Sequence, residues 1–116
     1  MLPSQLRLKR RSDFGRVYSK GRSFATDLVV VYVLPVNQPG TKVGFSVSKK
    51  VGGAVVRNRV KRLLAEAIRE YLGQIKPNNR LILVARVKAA GASLPDISAA
   101  LEAALSKSGV LDARTL

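Results

Sequence analysis

The chain has 116 residues, with 21 Lys or Arg against 7 Asp or Glu, a formal net charge of +14 at pH 7 and a pI of 11.2. That length suits one domain with one core, and 47% hydrophobic residues is too many for a disordered tail. Cysteine and histidine are both absent, which removes disulfides, thiolate chemistry, the usual general base and the commonest metal ligand. The charge calls for a polyanionic partner, nucleic acid before an acidic membrane.

Taken from the N-terminus, residues 1–11 are basic through Arg7, Lys9, Arg10 and Arg11, and read as a flexible arm of a single 1–116 domain. Ser12 and Asp13 are N-cap candidates for a short helix ending at Lys20, with Gly21 as its stop. Phe14, Val17 and Tyr18 share one face of it. Val17 is assigned to the core, while spacing leaves Phe14 and Tyr18 open between core packing and an exposed stacking platform. The valine-rich run Leu28 to Leu34 predicts a strand covered on both faces, and is too short to span a bilayer. Pro35 to Thr41 holds Pro39-Gly40 and reads as a hairpin loop. Lys42 to Ser48 alternates: Val43, Phe45 and Val47 point one way, while Gly44, Ser46 and Ser48 make a small hydroxylic face, open between close approach of a ligand and a sheet face that is tightly covered or solvated.

A long helix follows over about 55–72. Its apolar residues at 60, 63, 64, 67, 68 and 71 form one stripe. Asn58, Lys61, Arg62 and Arg69 fall on the side away from that stripe, with Arg57 at its edge. No acidic residue occurs between Asp27 and Glu66, whereas Lys42, Lys49, Lys50, Arg57, Arg59, Lys61 and Arg62 all do. A surface serving solubility alone mixes signs, so this face is read as anion-binding. Glu66 and Glu70 are read as ion-pair partners of Arg62 and Arg69 rather than as metal ligands. Arg80 to Arg86 predicts a strand, and Ser93-Leu94-Pro95-Asp96 a capping box opening a helix to Lys107, with Leu94, Ile97, Leu101, Ala104 and Leu105 buried. The order is helix, two or more strands, helix, strand, helix, an α+β domain with helices against a sheet. Strands 42–48 and 80–86, joined by a helix, are expected to be parallel.

No residues assemble a self-sufficient active site. Serine–histidine and cysteine–histidine sets are impossible, the carboxylates lack metal-ligand spacing, and Gly52-Gly53 precedes no phosphate-loop lysine. Arginine, lysine, asparagine and aromatic residues are an inventory for holding nucleic acid. A duplex-DNA reader would need a helix-turn-helix pair, and the strands between the 55–72 helix and the helix before it argue against one. An acidic-membrane binder would need large apolar residues exposed on the cationic face, and none is expected there.

The string Gly44-Phe45-Ser46-Val47-Ser48-Lys49-Lys50-Val51-Gly52, followed by Ala54-Val55-Val56-Arg57-Asn58-Arg59-Val60-Lys61-Arg62, resembles the signature of the bacterial ribonuclease P protein subunit. The likeness runs from about Arg7 to Arg86, more loosely to the end. It implies an αβββαβα order in a two-layer α/β sandwich, with a mixed, roughly four-stranded sheet and a left-handed βαβ crossover. It also implies a fold similar to the second domain of a small-subunit ribosomal protein. In that family the RNA subunit hydrolyses precursor tRNA with bound magnesium ions to give the mature 5′ end. The protein alone is then inactive, has no catalytic residue and binds no cofactor of its own. Its implied partners are the catalytic RNA and precursor tRNA, not DNA or a membrane, and its implied location is the cytoplasm. Carried onto this chain, Lys49, Lys50, Arg57, Asn58, Arg59, Lys61 and Arg62 match the surface facing the catalytic RNA. Phe14, Tyr18, Val30, Tyr32, Ser46 and Ser48 match a cleft for the single-stranded 5′ leader, and Arg7, Lys9, Arg10, Arg11 and Arg86 supply further basic contacts. Two departures stand out: Ala65, where many relatives have arginine on what is expected to be an exposed face, and Val87, where relatives often have proline.

Overall fold

The alternating valines after residue 28 build the central ladder. In the computed structural model, which describes residues 2–112, β2 (Val29–Pro35) pairs antiparallel with β1 (Arg22–Ala25) on one side and with β4 (Asn79–Ala85) on the other. Met1 and residues 113–116 of the expected 1–116 domain lie outside the described residues. On its far side β4 pairs with β3 (Lys42–Ser46), and this pair is parallel as expected, giving the order β1-β2-β4-β3. Helix α1 (Arg11–Lys20) precedes the sheet, α2 (Ala54–Arg69) joins β3 to β4, and α3 (Leu94–Ser108) closes the chain. The αβββαβα order and the four-stranded mixed sheet are those the resemblance implies.

The main core is a two-layer sandwich. Val29, Val31 and Val33 of β2, Leu81 and Leu83 of β4 and Val43 of β3 pack against Val60, Leu64 and Ile68 of α2 and Ile97, Leu101 and Leu105 of α3, all buried. Each such side chain contributes about 1.5–3 kcal/mol by leaving water. The opposite sheet face carries a smaller cluster, Leu8, Val17 and Ile82, with Phe14, Tyr32, Leu34 and Val84 partly buried around it. Residues 28–34 are therefore covered completely on one face only, because α1 is too short to roof the other.

Several boundaries shift for local reasons. Helix α1 begins at Arg11, and its N-cap is Arg10 with no side-chain cap bond, so neither Ser12 nor Asp13 serves. Strand β1 is the additional strand that the αβββαβα order implies, but its position is not legible in the residues: four residues of mixed polarity carry too short an alternation. Strand β3 ends at Ser46 because Val51 N–H bonds the Ser48 carbonyl at 3.1 Å and turns the chain. Helix α2 ends at Arg69, and the chain tightens into a 3₁₀ turn at Leu72–Gln74. Strand β4 spans Asn79–Ala85, one residue earlier than expected. The N-terminal segment is docked rather than a free arm: Leu2 and Leu8 are buried, and Leu8 N–H bonds the Val43 carbonyl at 2.9 Å.

The capping box of α3 forms as read. Ser93 accepts from Asp96 N–H at 3.3 Å, and the Asp96 carboxylate accepts from Ser93 N–H at 3.1 Å. The bond from the Ser93 backbone, then that from the Ser93 hydroxyl, hold the Asp96 carboxyl below its ordinary range. A carboxylate lowered on folding adds stability that is present above its unfolded pKa and lost as pH falls through the lowered value. Replacing Ser93 by alanine is expected to cost about 1 kcal/mol in urea unfolding at neutral pH, and a smaller cost in strong acid would confirm the carboxylate's share.

Gly21 seats α1 on the sheet. Its N–H bonds the Val17 carbonyl at 2.8 Å, and a Cβ there would stand 2.6 Å from the Val17 oxygen and 2.9 Å from the Val33 oxygen. Both obstacles are backbone. Gly21→Ala is therefore expected to destabilise the domain by about 1–3 kcal/mol in urea unfolding, whereas Gly15→Ala, with nothing within 4 Å, should be neutral or stabilising.

Candidate nucleic-acid interface

The half-covered sheet face is ordered in rows by the strand register. One row is Ser23, Tyr32, Ile82, Gly44; the next is Ala25, Val30, Val84, Ser46. Helix α1 crosses the first row. The Phe14 ring stands over Gly44, where a Cβ would meet its Cζ at 2.5 Å. At the other end Tyr18 meets Tyr32 edge-on, centroids 4.9 Å apart and planes at 82°. The second row lies beyond the helix, and its Val30, Val84 and Ser46 stay half-buried. A shallow cleft results, with an apolar and hydroxylic floor and a wall of rings. Phe14 is half-buried, whereas Tyr18 is 40% exposed at the rim.

The structure thus brings Phe14, Tyr18, Val30, Tyr32 and Ser46 together. It leaves Ser48 exposed in the turn after β3, outside the row. It adds Val84, which sequence alone could not find: a valine alternating with Ile82 becomes a floor residue only once β4 is known to separate β2 from β3.

The basic surface begins at the turn holding Lys49 and Lys50, both exposed, and continues on α2. The first turn of α2 has no acidic residue and its N-cap, Gly53, supplies no side-chain bond. Free N–H groups and the helix dipole therefore favour an anion there. Asn58, Arg59 and Arg62 are exposed, Arg57 and Lys61 half-buried. The Arg57 Nε is buried with no partner among the described residues. Lys61 lines a recess of about 150 Å³ with Arg7, Phe14, Gly44 and Phe45, so the cationic helix and the ring-lined cleft meet around the edge of β3.

Other arginines hold the protein to itself. Arg59 donates to the carbonyls of Ala90 at 2.9 Å and Ala92 at 3.0 Å, clamping the turn before α3. Arg86 donates to the Thr26 carbonyl at 3.0 Å, and Lys9 donates to the Ser4 hydroxyl. Arg80, not singled out by sequence, is 7% exposed and donates to the Gly40 carbonyl at 2.8 Å and to Gln38 Oε1 at 3.1 Å. Arg10 and Arg11 are exposed at the start of α1. Ala65 is 2% exposed, so it occupies no exposed face and leaves no gap in one. Conversely Val55, one turn before Arg59, is 83% exposed, so the cationic face does carry one apolar residue; a lone valine is not a membrane-binding patch. Among the described residues no helix is long and apolar enough to cross a membrane. Glu66 pairs with Arg69 at 3.9 Å, and Glu70 accepts from the Ser98 hydroxyl at 3.4 Å. Among the described residues no three carboxylates converge to hold a metal ion.

The model of the family described as Ribonuclease P matches residues 2–109. The chain is 41% identical over 100 residues to the ribonuclease P protein component of Alkaliphilus metalliredigens, covering 86% of this chain and 90% of that protein. With its Clostridioides difficile counterpart it shares 44% identity over 96 residues, 82% and 84% of the two chains. Among solved structures, the Staphylococcus aureus RNase P protein is similar with a TM-score of 0.84 at 34% identity, over 92% of this chain and 98% of that one. The Thermotoga maritima RNase P protein superposes with a TM-score of 0.78 at 25% identity, over 87% and 96%.

Because Arg59 bonds two carbonyls, Arg59→Ala is expected to cost about 1–2 kcal/mol of stability in urea unfolding. Arg62→Ala, on the same helix and exposed, should change stability by less than about 0.5 kcal/mol.

Proposed function

The chain belongs to the ribonuclease P protein family, a subunit of the enzyme that matures tRNA 5′ ends, and on that premise we propose how its two surfaces divide the work. The turn at Lys49 and Lys50 and the exposed side of α2, through Arg57, Asn58, Lys61 and Arg62, hold phosphates of the catalytic RNA. Arg59 shapes that surface by clamping the turn at Ala90 and Ala92, and Arg86 and the basic residues from Arg7 to Arg11 extend it. Guanidinium forks suit paired phosphate oxygens, and ammonium groups act as point charges beside them. The cleft beside α1 takes the single-stranded 5′ leader of precursor tRNA, with a base stacked on Tyr18 or Phe14 and the backbone over Ser46, Val84 and Val30. Hydrolysis is left to the RNA. On this reading the magnesium ions that assist cleavage belong to the RNA of the holoenzyme; among the described residues no three carboxylates converge.

The observation that carries this reading is the half-open row Val30–Val84–Ser46 beside an exposed ring, on the face opposite the main core. A sheet row left half-open next to aromatic rings and cations is how single strands are commonly held.

The test compares precursor and mature tRNA bound to the reconstituted RNA–protein complex. Tyr18→Ala should weaken precursor binding by about tenfold and leave mature tRNA unchanged, since a stacked base is worth about 1–3 kcal/mol. Lys61→Ala with Arg62→Ala should weaken assembly with the catalytic RNA whichever tRNA is present, and flatten its salt dependence by about one unit of slope per lost phosphate contact. Equal effects of the two variants on precursor and mature tRNA would refute the division, as would cleavage by the protein free of RNA.

A further inference from the structure

On the other side of α1 from the cleft lies a second groove, about 390 Å³ in volume, within the range of about 300–1,000 Å³ usual for small-ligand sites. Its floor is apolar, from Leu34, Pro35 and Val36. One wall carries Arg16 and Lys20, four residues apart on α1 and therefore on one face. The other carries the amides of Asn37 and Gln38. No carboxylate lines it, and neither cation makes an ion pair among the described residues.

The amide wall is built rigidly. Buried Arg80 holds the Gly40 carbonyl and the Gln38 side chain from beneath. Val36 N–H bonds the Asn78 carbonyl at 2.9 Å, and Gly40 N–H bonds Asn78 Oδ1 at 3.2 Å. A loop held by four hydrogen bonds at Val36, Gln38 and Gly40 presents the Asn37 amide and the Gln38 amide N–H edge at a reduced ordering cost.

We propose that this groove is a second single-strand RNA subsite, which takes nucleotides of the leader beyond those in the cleft. The inference rests on the cleft reading above. An acidic peptide would use the two cations and could reach the amides, but it brings no planar ring to lie on the apolar floor. A nucleotide uses all three: phosphate on Arg16 and Lys20, base face on Pro35 and Leu34, base edge on Asn37. Val30 and Leu34 lie on the same face of β2, about 13 Å apart at 3.3 Å per residue. Exposed Tyr18 stands on the helix between them, so one strand can pass from cleft to groove over α1.

Affinity of the reconstituted complex for precursor tRNA is measured over a series of unstructured leaders of increasing length. The wild type should gain affinity in two stages, first as the cleft fills and again as the leader reaches the groove. Arg16→Ala with Lys20→Ala should remove the second gain, about tenfold, and leave the first intact, whereas Tyr18→Ala should diminish the first. A charge-matched control, Lys76→Ala with Lys107→Ala, should keep both. Persistence of the second gain in the Arg16/Lys20 variant, its equal loss in the control, or displacement of the long leader by poly-glutamate as readily as by unstructured RNA would each overturn the groove while leaving the cleft standing. Absence of any leader-dependent gain in the wild type would overturn both.

Discussion

The contact on which most of this molecule's working surface depends is the seating of α1 on the sheet. It is a contact of backbones as much as of side chains. Gly21 lets the end of the helix come down on the Val17 and Val33 carbonyls, and Gly44 makes room for the Phe14 ring. Pinned at those two points, a helix of 10 residues can bury Val17 and Ile82 but cannot roof a four-stranded sheet. The uncovered remainder is the cleft on one side and the Leu34 groove on the other. The opposite face, buried under two longer helices, supplies the stability that permits this economy of cover.

Charge is the second organising constraint. With a formal excess of +14, self-repulsion opposes compactness, and the fold answers by giving several arginines internal tasks. Arg59, Arg80 and Arg86 all donate to backbone carbonyls rather than to carboxylates. These bonds need no acidic partner, so the cationic field outside is not cancelled by the groups that hold the loops in place. Loop anchoring and a strongly electropositive surface are thereby compatible in a chain with few acids.

What could be read from residues alone divides along physical lines. Long-period signals survived: the stripe of α2, the capping box of α3 and the parallel pairing of β3 with β4 follow from spacing that no neighbour could override. Short or context-dependent signals did not. Strand β1 has too few residues to show alternation, and Ala65 was placed on the wrong side because the stripe was drawn too narrow. An arginine reads the same whether its fork will meet a phosphate or a carbonyl, so Arg59 could not be sorted before the turn at Ala90 was placed beside it. Val84 became part of the cleft only through strand order, which is a property of the whole sheet. The spacing of Phe14 and Tyr18 left core and platform open, and the fold separates them by burial: Phe14 is half-buried over Gly44, and Tyr18 is exposed at the rim.

The docking of the N-terminal segment bears on how this chain behaves among its own copies. Strand β3 ends the sheet on one side, and an uncovered border of N–H and C=O groups is a template for intermolecular pairing. The bridge between Arg7 and Val43 occupies that border, while burial of Leu2 and Leu8 keeps the segment in place. The opposite border, β1, is four residues long and opens with a positive charge, a combination that discourages lateral growth. Residues 2–10 thus act as a selvedge: they finish the fabric along β3, and a chain trimmed to start at α1 would leave that border open to pairing with another strand.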